Sequence, residues 1–286
     1  MEPSDSRRAW HLIEALNAVT YFTRECREGP KSLGLPGFWM GYFANRAAPM
    51  GTVTPGVVEA TFYNFHPHMV RRAIPHAWRF ASPGQVLAGR SEAAAAALRR
   101  LVPGADELAP RLFPLLRKSV EIANGTGRPL FAANRDVIAD ANVEGVWQSA
   151  TTLREHRGDG HIAVLTEAEL DGCEVHVLLS ATEGVPPELL RASRGWSEFE
   201  WSQAADRLRD RGLIDSAIGP TPDGYRLHLD VEERTDELAL RPFDKLRDDG
   251  FEKMMHLLNL MATAIYASGE IAFPNPMGLP APDPAV

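Results

Sequence analysis

The stretch Leu153-Arg-Glu-His-Arg-Gly-Asp-Gly-His161 places two histidines, two arginines, an aspartate and a glutamate within nine residues. Side chains of these types move protons, grip anions or ligate metals. His156, Asp159 and His161 read as proton-handling or hydrogen-bonding groups, because an imidazole titrates near neutral pH and a carboxylate can orient it. Arg157 reads as the partner of a carboxylate or phosphate. The same three residues offer zinc or iron ligands in principle. The spacing H-x-x-D-x-H lacks the i, i+4 pair that points two histidines one way along a helix, so no metal is assigned. A structural reading stands beside these: His156 and Arg157 end a helix, Gly158 caps it in the left-handed region, and Asp159-Gly160 turns the chain.

A second concentration lies upstream. Residues 38–80 hold nine of the 23 Phe, Trp and Tyr residues, with His66, His68 and His76 among them. Such a stretch lines a pocket for a flat apolar ligand or fills a core between two parts of the chain. Tyr63, Asn64 and Trp196 are the expected walls of the site. Ligation of haem iron by His66 or His68 is conceivable chemistry, but a histidine beside Pro67 more often shapes a turn, and the cofactor stays unknown. Nucleophile-elbow, Walker A and H-E-x-x-H motifs are absent. Cys173 reads as a packing residue.

The elements that must position these groups are helical. Apolar spacing predicts helices over about 7–26, 38–48, 55–63, 82–101 and 107–123. Downstream it predicts helices over 143–155, 173–181, 187–193, 197–211 and 222–238, and a long last helix after about 251. Between 153 and 165 the two glycines predict a turn followed by a short apolar segment. Ser197 with Glu200 three positions on is a capping box, and Gly212 ends the helix it opens. Leu213-Ile-Asp215 reads as a short strand before a Gly219-Pro220 turn.

The order helix, helix, capped helix, strand, turn, helix over Cys173–Leu238 is that of a winged helix, and this part resembles MarR-type regulators. A distorted copy lies in the first half: Gly37, Ala48 and Gly51 match Gly172, Ala181 and Gly184. Val53, Pro55 and Ala60 match Val185, Pro187 and Ala192, and Ser82-Pro83 matches Thr221-Pro222. The fold expected is therefore mostly α: tandem winged-helix-like repeats with short β-wings in a pseudo-twofold arrangement, over residues 1–140 and 141–286. The strings at 153–161, 194–201 (Arg-Gly-Trp-Ser-x-x-x-Trp), 62–65 (Phe-Tyr-Asn-Phe) and 274–279 (Pro-Asn-Pro-Met-Gly-Leu) resemble an actinobacterial family of uncharacterised proteins with helix-turn-helix segments. That resemblance spans nearly the whole chain and implies the fold without an activity.

Bulk properties narrow the function. The net charge of −8 divides unevenly. Residues 1–140 carry 17 Lys+Arg against 12 Asp+Glu, and residues 141–286 carry 13 against 26. The halves can dock by attraction, and the basic one can draw in an anion. Two cysteines give no disulfide framework, and no apolar run spans a bilayer, so the expected setting is cytoplasmic, with no membrane partner. The expected function is binding of a small organic ligand, aromatic or anionic, in a cleft between the halves, with acid–base conversion as an extension. The alternative is a ligand-responsive DNA-binding transcriptional regulator. The helix at 197–211, with four acidic residues against three arginines, disfavours DNA on that face.

Overall fold

Seven prolines at the first positions of helices and a set of side-chain caps divide the chain. The computed structural model describes residues 1–137, 139–246, 248–279 and 281, and they form fourteen α-helices. These are α1 (Pro3–Phe22), α2 (Arg24–Ser32), α3 (Gly37–Ala47), α4 (Pro55–Phe62), α5 (Pro67–Ala73), α6 (Pro83–Leu101), α7 (Ala105–Ile122) and α8 (Pro129–Arg135). After them come α9 (Val143–Glu167), α10 (Glu174–Glu183), α11 (Pro187–Arg194), α12 (Glu198–Asp210), α13 (Pro222–Leu240) and α14 (Asp248–Ala267). The predicted Ser82 and Ser197 caps are present: their hydroxyls accept from the Gln85 and Glu200 N–H groups, whose side chains reach back in capping boxes. Gly195 and Gly212, at φ +82° and +70°, end α11 and α12 in the left-handed region that suits glycine.

The largest correction concerns 153–165. No turn forms there; α9 runs unbroken for 25 residues through Gly158 and Gly160. A glycine inside a helix costs only about 1 kcal/mol relative to alanine. This helix recovers far more by packing, because α1, α6, α7, α8 and α13 all lie against it. Seventeen of its residues are buried, so it has no solvated face to produce a clear periodicity. Its first residues are held by the Asn142 side chain, which accepts from Gly145 N–H at 2.9 Å.

Around α9 the packing is reciprocal. The first helix, α1, lies against α9; α7 lies on α9 while α14 lies on α1, and α6 meets α9 while α13 meets α1. Within the first half α3 packs on α5 and α6, and within the second α10 packs on α12 and α13. One large core joins both halves, from Ile13, Leu16 and Leu98 through Trp147 to Met254, Leu258 and Ile265. Each half adds a smaller core of its own, around Phe43, Val58 and Ile74 in the first and Val177, Leu190 and Leu208 in the second. No strand occurs among the described residues. At the expected wing a single antiparallel bridge pairs Ile214 with Pro220. Asp215 explains why it stops there: its carboxylate accepts from the Ala217 and Gly219 N–H groups at 2.8 Å and closes the loop on itself. Residues 124–142, between α7 and α9, contain α8.

Candidate functional site between α1, α9 and α10

Helical spacing delivers the polar groups of the site. On α1, Arg7, Trp10, His11 and Glu14 fall at i, i+3, i+4 and i+7, one face of a helix. Arg154, Arg157, Gly158, His161 and Ile162 do the same on α9, and His228, Val231 and Glu232 on α13. These faces converge with Tyr42 and Arg46 of α3 and with α10 on a cavity of about 720 Å³. Its mouth is bordered by residues 273–279 and Ala281. That segment is shaped by Asn275, whose Oδ1 accepts from the Met277 and Leu279 N–H groups at 3.2 Å.

Two ion-pair quartets frame the space. In the first, Glu155 accepts both arms of Arg46 at 3.0 Å and Arg154 at 2.9 Å, and Arg154 also donates to Glu14 at 3.2 Å. Burial alone would raise the Glu155 carboxyl. The charges and hydrogen bonds of Arg46 and Arg154 outweigh it and hold the group down at about 2. In the second quartet, Arg7 and Arg157 both reach Glu232 and Asp236, at 2.7–3.2 Å. The Arg157 guanidinium stacks 4.3 Å from the centre of the Trp10 ring.

Burial disfavours the charged form of two histidines here, His161 and His176. Burial, opposed by Glu232, pushes His161 down to about 4. Its Nδ1 lies 3.0 Å from Thr235 Oγ1, and that hydroxyl spends its own proton on the Val231 carbonyl at 2.7 Å. The bonding therefore assigns the proton to Nδ1 and leaves Nε2 as a bare acceptor. His176 on α10 is 2% exposed, and neither ring nitrogen has a hydrogen-bond partner. Burial and the adjacent Arg194 charge push it down to about 3, with the Asn64 backbone close by but outside bonding geometry. Arg194 is 9% exposed and lies 4.6 Å from the centre of the Phe65 ring. Its Nη atoms donate to the Ser193 and Pro276 carbonyls, and its Nε has no partner.

Of the residues expected in the site, Arg157, His161 and Asn64 line the cavity. His156 and Asp159 do not, because α9 being a helix turns them toward α8. The Asp159 carboxylate accepts from Phe131 N–H in the first turn of α8 at 2.9 Å, as a cap supplied from another helix. Burial raises it to about 6 despite that bond. His156 packs edge-on against Phe131, 4.9 Å between ring centres, and burial with the Arg128 charge pushes it down to about 3. Tyr63 and Trp196 brace the halves behind the cavity. Tyr63 donates to the Leu170 carbonyl, and Trp196 Nε1 donates to the Asn64 carbonyl at 3.0 Å. His66 uses both nitrogens on protein groups, Nε2 with Glu200 and Nδ1 accepting from His68 N–H. Among the described residues no three His, Cys, Asp or Glu side chains cluster as metal ligands would.

Arg46, Arg194, His176 and the α1 face were not anticipated. The spacing of Arg7, Trp10, His11 and Glu14 was a usable signal, but charges at helical period ordinarily mark a solvated face. The glycines of α9 now have distinct meanings. A Cβ on Gly160 would lie 2.6 Å from Arg128 Nη1, where that side chain crosses the helix to the His156 and Leu238 carbonyls. A Cβ on Gly158 would meet only ordinary contacts at 3.5 Å and beyond. Gly158→Ala should therefore stabilise the protein by about 0.5–1 kcal/mol in urea denaturation. Gly160→Ala should instead cost about 1 kcal/mol through the displaced Arg128 bonds.

No curated protein and no solved structure matches the chain. The helices α11 and α12 follow one another across a three-residue turn, Gly195-Trp196-Ser197, the order of elements in a helix-turn-helix. Residues 6–272 match the helix-turn-helix family over nearly the full length, and the chain belongs to that family.

Proposed function

We propose that this protein binds a small organic molecule in the cavity between two degenerate winged-helix-like halves, residues 1–140 and 141–286. The repeat is supported by matched contacts: α7 lies on α9 as α14 lies on α1, and α6 meets α9 as α13 meets α1. The observation that carries the ligand reading is a roomy cavity facing two buried, under-satisfied polar side chains, His176 and Arg194. Buried polar groups in folded proteins are normally paired, and about 300–1,000 Å³ is the usual size of a ligand site. His161, with Nε2 as acceptor, and Arg157 and Asn64 are the polar contacts of the cavity. His156 and Asp159 act from behind, fixing α9 to α8. No described helix is long and apolar enough to cross a membrane, and a cytoplasmic setting fits the family.

Leu179→Trp, on the α10 wall, tests the reading by filling the space. Native mass spectrometry of the wild-type protein as purified should show a retained small molecule, or a compound screen should raise its melting temperature, and both responses should vanish in the variant. A wild-type protein that carries nothing and responds to no compound would remove the proposal.

Family membership favours a second reading, that of a DNA-binding regulator. On α12 the geometry opposes it, since Arg207 is engaged by Asp171 and Glu174, and Arg209 by Asp206. The first half offers exposed Arg72 and Arg79 beside α5. If that face holds DNA, a mobility shift must weaken steeply with salt, and Arg72→Ala with Arg79→Ala must lower the salt slope by about two.

A further inference from the structure

The framing charges of the cavity nearly cancel. Arg46 and Arg154 balance Glu14 and Glu155, Arg7 and Arg157 balance Glu232 and Asp236, and the half-exposed Glu183 lies against His228. Arg194 stands outside both quartets. Its nearby titratable groups are two further arginines, Arg46 and Arg154, and two neutral phenols, Tyr21 and Tyr42; among the described residues no carboxylate forms an ion pair with it. Burial of a guanidinium in this state is unfavourable. Arg90, the other buried arginine without a carboxylate, shows how the core solves that problem. Asn45, Asn134 and Gln148 all turn oxygens onto it at 2.7–3.0 Å. Arg194 has no such cage. It has one strong acceptor, the Pro276 carbonyl on the mouth segment, and it opens on the cavity beside His176.

The remaining wall is of the opposite character. Leu165 of α9, Val175, Leu178 and Leu179 of α10, Val185 just after it and Val231 of α13 supply apolar lining. We propose that the ligand is a monocarboxylate with an apolar or aromatic body, its carboxylate held by Arg194 and His176 and its body laid against this wall. A carboxylate supplies one negative charge, matching Arg194, the one arginine lining the cavity that has no ion pair among the described residues. A phosphate monoester brings about −1.5 to −2 and would leave the cavity overcharged. The neutral imidazole of His176 contributes one N–H donor, which a carboxylate oxygen accepts. This inference rests on the ligand reading above and specifies the chemistry of that site.

Matched probes separate charge from shape. Decanoate, decanamide and decyl phosphate, with 2-naphthoate and 2-naphthamide, would be titrated calorimetrically into the full-length protein. At least one acid should bind about tenfold or more tightly than its own amide, as a charge-assisted pair in a dry site requires, and tighter than the phosphate. Arg194→Gln should erase that preference while leaving amide affinity within about twofold. Should Arg194→Gln fail to fold, Arg194→Lys must keep a reduced preference. Equal binding of acid and amide, a phosphate preferred to the acid, or an acid preference that survives Arg194→Gln would overturn the carboxylate assignment while the cavity still binds. Failure of all five probes would also overturn it, and the retained-mass and screening experiment would then decide separately whether the cavity binds anything.

Discussion

Glu155→Gln is expected to destabilise the protein by about 3–5 kcal/mol, the usual consequence of breaking a buried ion pair from one side. The size follows from the geometry. One carboxylate with 3% side-chain exposure serves two guanidinium groups, Arg46 from α3 and Arg154 from its own helix. Glutamine preserves the volume but leaves two cations facing each other with only Glu14 to share. Urea denaturation at pH 7 measures the loss, and a variant within 1 kcal/mol of wild type would contradict the account. The same group fixes one part of the acid response. Its carboxyl is depressed to about 2 in the folded chain against about 4.3 unfolded. Its stabilisation is therefore complete above about pH 4.3 and disappears as pH falls toward 2.

The histidines act earlier. His156, His161 and His176 sit at about 3, 4 and 3 when folded against about 6.5 unfolded. Between pH 6.5 and about 4 the unfolded chain binds these three protons and the folded chain does not, so stability falls as pH falls. Asp159, raised to about 6, opposes this with a single proton. Thermal melts from pH 7 to 4.5 should therefore show steadily falling midpoints, and His176→Phe should flatten the trend.

Separation of the halves is expected to abolish folding altogether. The common core takes Ile13 and Leu16 from the first half, Met254, Leu258 and Ile265 from the second, and Trp147 at their meeting. Expressed alone, residues 1–140 would leave α1 without α9, α13 and α14, its main neighbours. Residues 141–286 would leave α9 without α1, α6, α7 and α8. Each fragment should be insoluble or self-associated by size-exclusion chromatography, and co-expression should recover a soluble one-to-one complex. A monomeric, cooperatively melting single fragment would contradict the shared core.

These contacts also show why the sequence was readable in some places and not in others. Ser82, Ser197, Gly195 and Gly212 act through their immediate neighbours, so their local chemistry announces the ends of α6, α11 and α12. Gly158 and Gly160 looked the same as such signals. Their meaning depends on Arg128 and Arg154, which arrive from other parts of the fold or from the next turn of the helix. His161, Arg157 and Asn64 were legible because polar chemistry concentrated near them. His156 and Asp159 were misplaced because an assumed turn scrambles which side chains share a face. Arg194 and His176 carried no local mark, as nothing in a sequence says that a given arginine will lack a carboxylate.

The central position of α1 has an implication for synthesis. This helix is made well before its principal partners: α9 follows roughly 120 residues behind it, α13 roughly 200 and α14 roughly 230. At translation rates of about 5–20 residues per second the wait is about 10–50 s. Until α14 arrives, part of the apolar face with Ile13, Leu16 and Val19 stays uncovered, which makes the nascent chain a natural client for a chaperone that recognises an exposed apolar helix.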